Sequence, residues 1–448
     1  VSTSSQTASQ RPTEGARVEL ETGDVAHGGH VVARHAGFVV FVRHALPGES
    51  VIAEITDVRR DHAFAEAVEV LRAHPQREDP PCPAFRPFGC GGCDFQMASD
   101  ELQRELKVHV LRQALARQGG LDAAAVEQWT ATGVQSLGRQ WHWRERMRFD
   151  VLTSKNAPGR LGMHAHRSDT LVLAEECTIA EVDVVEQARE LARGATEGQE
   201  ILVARGDDGV RGLARSADGK RSLRSDQQMP RVRHRVDIAG QSFDFRVPID
   251  GFWQAHPGLT SEILNAVVEF ADPQPGQVWW DLYAGAGPIA AGLAALVGAG
   301  GHVHAVESSV DALRSARRAL HAHPTVRVHN SDVRRWLSEV VSSGSMTGSD
   351  AGASTGSNLG DFGELGELDG VVLDPPRSGA GRRTLELIAA AAPAHIVYIA
   401  CDPVALGRDL ATLQDNGYQL TGLRAWDAFP QSHHFETAAA FTRSDRIS

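Results

Sequence analysis

The sequence predicts a three-part α/β protein: a small β-barrel, a mixed α+β region, and a doubly wound domain built on a mostly parallel sheet. Two observations predict it. From "GFWQAHPG" onward, β-rich runs ("QVWWDLYAGAG", "HVHAVESS", "VRVHNSD", "LDGVVLDPP", "HIVYIACDP") alternate with helical patterns, as parallel strands joined by crossover helices do. Before residue 74, short runs such as "GFVVFV" and "ESVIAEITDV" alternate with Gly and Pro turns, "HALPGE" among them. That spacing suits a barrel of the OB type, which often carries nucleic-acid contacts, and equally a small β domain of any other purpose.

Taken in order, residues 1–15 read as a disordered tail and 16–73 as the barrel. A central region, 74–245, opens on "CPAFRPFGCGGCDFQ" and continues into a helix over 99–118, with Ser99 or Asp100 as N-cap and apolar residues three and four apart. Apparent hairpins follow around "RMRFDVL" and "TLVLAEECTIA". The doubly wound domain spans 246–448, and its last two runs, "YQLTGLRAWDAF" and "FETAAAFT", are expected to pair as an antiparallel hairpin at one sheet edge. The Gly- and Ser-rich stretch 342–368 reads as a flexible insertion without a role in the chemistry.

Composition narrows the class. A chain of 448 residues, 42% hydrophobic and 23% charged, can bury two or three ordinary cores. The N-terminus is polar, with no apolar signal-like stretch, and no run approaches the roughly 20 apolar residues of a membrane span. Five cysteines, clustered, point to metal or catalysis in a reducing compartment, so the cytoplasm is expected. The net charge of −12 argues mildly against a nucleic-acid partner, but 139–167 and 205–235 are locally basic. Such stretches are usually solvated surface.

"DLYAGAGP" follows a strand and opens a helix, so Gly285 and Gly287 allow a ligand close to the backbone. A tight turn alone would explain them. Glu307 ends the second strand, where a carboxylate can accept from two ribose hydroxyls; Asp332 ends the third, beside a base edge; Asp374 ends the fourth. The third glycine of a dinucleotide fingerprint is missing, and the turn resembles the S-adenosylmethionine site of class I methyltransferases.

Cys401 stands where the run "HIVYIA" must stop, flanked by Asp402 and Pro403. By default such a cysteine is a small buried hydrophobe. Beside a methyl donor it has a chemical use. A uracil C5 is a poor nucleophile until a thiolate adds to C6, and a base must afterwards take the C5 proton. Glu436 in "FPQSHHFET" is a carboxylate for that base.

"GFWQAHPG", "DLYAGAG", "LDPPRSG", "ACDPVALGRDL" and "FPQSHHFET" resemble, in order, the motifs of the RNA 5-methyluridine (uridine C5) methyltransferase family, and the first part resembles its TRAM domain. The resemblance implies a Rossmann-like class I methyltransferase domain with an N-terminal OB-like β-barrel (TRAM) and a central α+β region, the helix over 99–118 packing back on the catalytic domain. It implies Cys401 as nucleophile and Glu436 as base, with Gln254, Tyr283, Pro288, Glu307, Asp332 and Asp374 around S-adenosylmethionine, Asp374 also facing the target base. This chain has Ala284, His256 and Pro288 where similar members often carry Cys, Asn and a polar or small residue.

Cys82, Cys90 and Cys93 form C-x7-C-x2-C, with Cys177 far downstream. By spacing, a tetrathiolate site for zinc or iron–sulfur fits, zinc at least as well. The resemblance favours a [4Fe-4S] cluster, structural in role, although the first spacing exceeds the usual C-x5-C.

The partner implied is RNA, ribosomal or transfer, the barrel leaning toward ribosomal, with its uridine splayed or flipped out. Arg144, Arg146 and Arg148, interleaved with Trp141 and Trp143, suit phosphate and stacking contacts; a strand with its Trp residues in the core is the competing reading. The expected enzyme is a monomer without a membrane partner. The rival functions are methylation of another base and metal-containing RNA binding without catalysis.

Overall fold

Five strands close into the N-terminal barrel: β1 (Arg17–Val25), β2 (Val31–His35), β3 (Phe38–Arg43), β4 (Ser50–Val58) and β5 (His62–Arg72), in the order β1-β2-β3-β5-β4. The chain is seen here in a computed structural model that describes residues 11–154, 157–216, 229–342 and 367–446. The expected insertion at 342–368 therefore lies, except at its ends, outside the described residues. Phe38, Val40 and Val42 of β3 alternate inward, as a pleated strand lining a small core must. The β4–β5 ladder shifts register in three places, and such bulges bend a sheet enough to close it. Of the expected tail, residues 11–15 are described and belong to the barrel: Pro12 is buried and the Gly15 N–H donates to the Ile55 carbonyl at 2.8 Å.

The central region contributes α1 (Asp100–Arg117), α2 (Ala123–Thr130), β6 (Val134–Ser136), β7 (Arg146–Ser154), β8 (Ala157–His164), β9 (Leu171–Leu173), α3 (Val182–Arg193), β10 (Gln199–Gly206) and β11 (Gly209–Ser216). Five of these strands form an antiparallel sheet, β11-β10-β7-β8-β9, against which α3 buries Val184, Val185, Ala188 and Ala192. Ser99 is the N-cap of α1, its hydroxyl accepting from the Leu102 N–H at 3.2 Å. One face of α1 joins two cores. Leu102, Leu106 and Val110 pack with Phe95 and Trp143, while Leu111 and Leu115 sit in the core of the catalytic sheet.

The hairpin β12 (Arg231–Ile238) and β13 (Gln241–Pro248) buries Phe243, Phe245 and Val247 in the catalytic domain's core. The hairpin straddles the boundary expected at 245 and packs on both sides of it, Val232 also clustering with Leu202 and Ala204 of β10. Then come α4 (Leu259–Ala271), β14 (Val278–Leu282), α5 (Pro288–Val297), β15 (His302–Glu307), α6 (Val310–Ala319), β16 (Val326–Asn330), α7 (Val333–Ser342), β17 (Gly370–Leu373), α8 (Arg382–Ala390), β18 (His395–Ala400), α9 (Pro403–Asp415), β19 (Tyr418–Asp427) and β20 (Glu436–Arg443).

These strands build a sheet in the order β16-β15-β14-β17-β18-β20-β19-β6. The first five run parallel, and the inner ones, β14, β17 and β18, are buried on both faces. Gly370 begins β17 because its neighbour Trp279 leaves no room: a Cβ there would lie 2.2 Å from the indole ring. β19 and β20 do pair antiparallel, but their hairpin is not the sheet edge. The three-residue strand β6 from the central region adds parallel to β19 and covers it.

Candidate active site

Strand order reverses around β14, which has β15 on one side and β17 on the other. The crevice beyond the carboxyl ends of such strands is where open α/β sheets bind ligands. A cavity of about 740 Å³ opens there.

One end of the cavity is made by the turn after β14. Tyr283, Gly285 and Gly287 all have positive φ (64°, 55° and 89°), folding the chain tightly before Pro288 starts α5. The Gly285 N–H donates to one Glu307 carboxylate oxygen at 3.0 Å, and the Ser309 N–H to the other at 2.6 Å. Glu307 is thereby fixed at the end of β15, on the cavity wall. Gln254, Tyr283, Gly285, Pro288, Glu307 and Asp374 all line the space. Gly287 and Asp332 are not among its lining residues. Gly287 packs toward Leu320 and Ala316, and Asp332 accepts from the Arg335 N–H at 3.0 Å at the start of α7.

The other end gathers Asp374, Arg377, Cys401, His434 and Glu436. β18 and β20 are antiparallel neighbours whose last described rung is Ala400–Thr437. One step further, Cys401 and Glu436 become neighbours although 35 positions separate their numbers. Burial raises the carboxyl groups of Asp374 and Glu436, and the Asp374 charge raises Glu436 further while Arg377 opposes it. Burial, and then the Glu436 and Asp374 carboxylates, push the Cys401 thiol up to about 12, opposed by the Arg377 guanidinium. Such a site disfavours each added negative charge and gains from positive charge, which a cationic ligand would bring.

Several residues here carried no assignment from the sequence. Arg377 lies within "LDPPRSG", Phe252 within "GFWQAHPG" and His434 within "FPQSHHFET", so motif membership was the available signal. Phe252 is 69% exposed at the cavity wall.

The basic stretch is not an open strip of RNA contacts. Trp143 precedes β7, is 1% exposed, stacks on His256 and packs in the cluster with Phe95 and Leu106. Trp141 is partly buried against the same cluster. Arg146 donates to the Pro248 and Gly251 carbonyls at 2.5 and 3.0 Å, tying the central sheet to the catalytic domain. Arg148 is exposed and lies 3.4 Å from Glu200.

The four remaining cysteines converge. Cys82, Cys93 and Cys177 share an apolar cluster, and Cys90 and Cys177 each feel the charge of Cys82, Cys93 that of Cys177 and Cys90. Burial raises the thiols of Cys90, Cys93 and Cys177, the last to about 11. Among the described residues, no three His, Cys, Asp or Glu side chains are grouped as ligands of a single ion. The donor set itself is soft and fourfold, and a thiophilic metal binding there would have to displace the thiol protons. Arg144, half-buried, points its charge at Cys177, Cys93 and Cys90, with its Nε donating to the Arg146 carbonyl at 3.2 Å. An anionic thiolate centre would supply that guanidinium with a counter-charge.

Comparison with known proteins places the chain among RNA methyltransferases. Residues 11–68 match the model of the TRAM domain, and residues 189–444 that described as tRNA (Uracil-5-)-methyltransferase. An uncharacterized RNA methyltransferase of Streptomyces coelicolor is 36% identical over 95% of this chain and 92% of its own. Another from Corynebacterium efficiens is 34% identical over 96% of each. The solved structure of Pyrococcus abyssi tRNA (uracil-54, C5)-methyltransferase with S-adenosyl-L-homocysteine superposes with a TM-score of 0.63 at 17% identity, covering 94% of this chain and 99% of that one, a likeness of fold.

Proposed function

Since the chain belongs to the tRNA (uracil-5-)-methyltransferase family and is an S-adenosylmethionine-dependent RNA methyltransferase, we propose that it methylates uridine C5 through a covalent bond between Cys401 and C6. The observation that carries this reading is the meeting of Cys401, Glu436 and Asp374 in one cavity with the glycine turn and Glu307.

S-adenosylmethionine, when bound, supplies an electrophilic methyl on a cationic sulfur. Gln254, Tyr283, Gly285, Pro288, Glu307 and Asp374 would hold it, while Gly287 and Asp332 shape the turn and helix alongside. Cys401, once its proton leaves to solvent, bonds through Sγ to C6 of the uracil, and the C5=C6 electrons move toward O4 as an enolate. Arg377, with its charge near Cys401 and Glu436, offsets the negative charge that develops. C5 would then bond to the methyl carbon as that carbon's bond to the sulfonium breaks, the electron pair of that bond staying on the sulfur, which becomes a neutral thioether. Glu436 removes the C5 proton, and the electrons of that bond rebuild C5=C6 and expel the thiolate. Phe252, exposed at the wall, offers a face for an unstacked base.

Two substitutions test the chemistry. Cys401→Ala should abolish turnover, and Glu436→Gln should trap RNA on the protein as a slow band on a denaturing gel. Wild-type behaviour of both variants would overturn the mechanism.

We read the substrate as ribosomal RNA, in keeping with the barrel, and the enzyme as a cytoplasmic monomer; among the described residues no helix is long and apolar enough to cross a membrane. Mapping 5-methyluridine in total RNA with and without the gene should show a loss from ribosomal RNA, and a loss from transfer RNA alone would refute that choice. For the four cysteines we favour a structural [4Fe-4S] cluster over zinc. Anaerobic purification should yield iron and acid-labile sulfide rather than zinc, and Cys93→Ala should lose both.

A further inference from the structure

The strand ladder brings Cys401 and Glu436 side by side, but each lies at the end of its strand, where a turn rather than the sheet decides its position. Both turns are gripped from outside the catalytic domain.

The nucleophile turn is held through Asp402. One of its carboxylate oxygens accepts from the Ala405 N–H at 2.8 Å and caps α9; the other lies 2.9 Å from Nε2 of His27. His27 belongs to the barrel turn between β1 and β2, closed by the Ala26 N–H donating to the His30 carbonyl at 2.7 Å.

The base turn is held through Asp94, which directly follows Cys93. One Asp94 oxygen accepts from the His433 backbone N–H at 3.1 Å and lies 2.6 Å from the His433 ring Nδ1. The N–H groups of Asp94 and Phe95 both donate to the Gln431 carbonyl, at 2.8 and 3.0 Å. Gln431 itself is buried with φ of 70°. Its amide oxygen accepts from Gln103 of α1 at 3.0 Å, and its N–H donates back to the Gln103 side-chain oxygen at 2.9 Å. Arg43 of the barrel lies 3.5 Å from the other Asp94 oxygen.

The two grips meet. Gly29 of the barrel turn, at φ +78°, fits between Asp94 and His433 so closely that a Cβ would lie 3.0 Å from the Cβ of each. The His27 and His433 rings approach edge to face at 6.3 Å. Neither His27, Asp94 nor His433 lines the cavity, whereas His434 and Glu436, immediately beyond the base turn, do.

We propose that the barrel turn 26–30 and Asp94 form a clamp that sets the spacing of Cys401 and Glu436, His27 acting through Asp402 on the nucleophile and Asp94 acting through His433 on the base. His27 and Asp94 are positioning residues, and the barrel and cysteine loop are parts of the catalytic alignment as well as of the RNA-binding body. A reacting group displaced by about 1 Å can lose on the order of a hundredfold in rate, so small releases of either turn are costly. The proposal rests on the assignment of nucleophile and base above.

The test uses the full-length protein with His27→Ala, Asp94→Asn and Glu436→Gln. His27→Ala should slow bonding to 5-fluorouridine RNA by roughly tenfold or more. Asp94→Asn should bond at the wild-type rate yet release product slowly, so that a covalent band accumulates on natural RNA. Both should keep the wild-type iron content and KM for S-adenosylmethionine, the loss falling on kcat at temperatures where each variant is fully folded. Absence of trapped RNA with Glu436→Gln would sink the underlying assignment. Trapping by Glu436→Gln with wild-type turnover in the other two variants would sink the clamp alone, and so would losses that merely follow a lowered midpoint or lost iron.

Discussion

The ammonium of Lys107 lies 2.5 Å from a carboxylate oxygen of Asp427, with the two side chains 0% and 1% exposed. Lys107 also donates to the Phe429 carbonyl at 3.2 Å, so α1 is tied to the end of β19 where the base turn begins. Burial pushes the lysine pKa down and Asp427 pulls it back up. The second Asp427 oxygen has no hydrogen-bond partner among the described residues. Ion pairs this dry are costly to break on one side, because the remaining charge stays buried alone. Lys107→Met should therefore cost about 3–5 kcal/mol, read as a lowered thermal midpoint. Lys107→Met with Asp427→Leu should recover most of it. A single variant as stable as wild type would show that the pair is not coupled to folding.

The reactivity of Cys401 should respond in opposite directions to its two neighbours. Glu436 opposes its ionisation and Arg377 favours it, both behind the larger effect of burial. At a fixed, mildly alkaline pH, alkylation of Cys401 by iodoacetamide follows the thiolate fraction, which changes roughly tenfold per pKa unit. Glu436→Gln should speed alkylation and Arg377→Met should slow it, measured on the Cys401 peptide by mass spectrometry. The same sign for both would mean that access, not charge, governs the thiol.

The parts of the site that could be read from the sequence are those fixed by local backbone. A strand stopping at Cys401, a glycine turn after β14 and carboxylates at the ends of β15 and β17 follow from the βα repeat, since every such strand presents its last residues at one crevice. What could not be read depends on faces and distant partners. Trp143 precedes β7 and is buried by α1 and the loop carrying Phe95, partners that its local sequence does not reveal. Three residues are too few for a periodic signal, and β6 therefore went unseen at the sheet edge. Lys107 and Asp427 stand 320 positions apart, and Asp94 and His433 339 apart. Such pairs exist only once the barrel, cysteine loop and catalytic sheet are assembled.

Asp281 offers a pH test of the buried crevice. It is wholly buried at the end of β14; one oxygen accepts from the Ala290 N–H at 2.8 Å, and the other has no partner among the described residues. Burial raises its pKa to about 8, with the Asp374 and Glu307 charges adding to the rise. The folded value thus lies above the unfolded one of about 3.9. The folded state therefore binds the extra proton, and stability falls as pH rises between those two values, by about 1.4 kcal/mol per pH unit. Below the unfolded pKa no penalty exists, and above the folded pKa it is complete. Asp281→Asn keeps the shape and cannot ionise. Between pH 6 and pH 8 the variant should gain roughly 2 kcal/mol on the wild type, seen as a stability difference in urea that widens with pH. A difference that stays constant across that interval would mean that Asp281 is already ionised in the folded crevice.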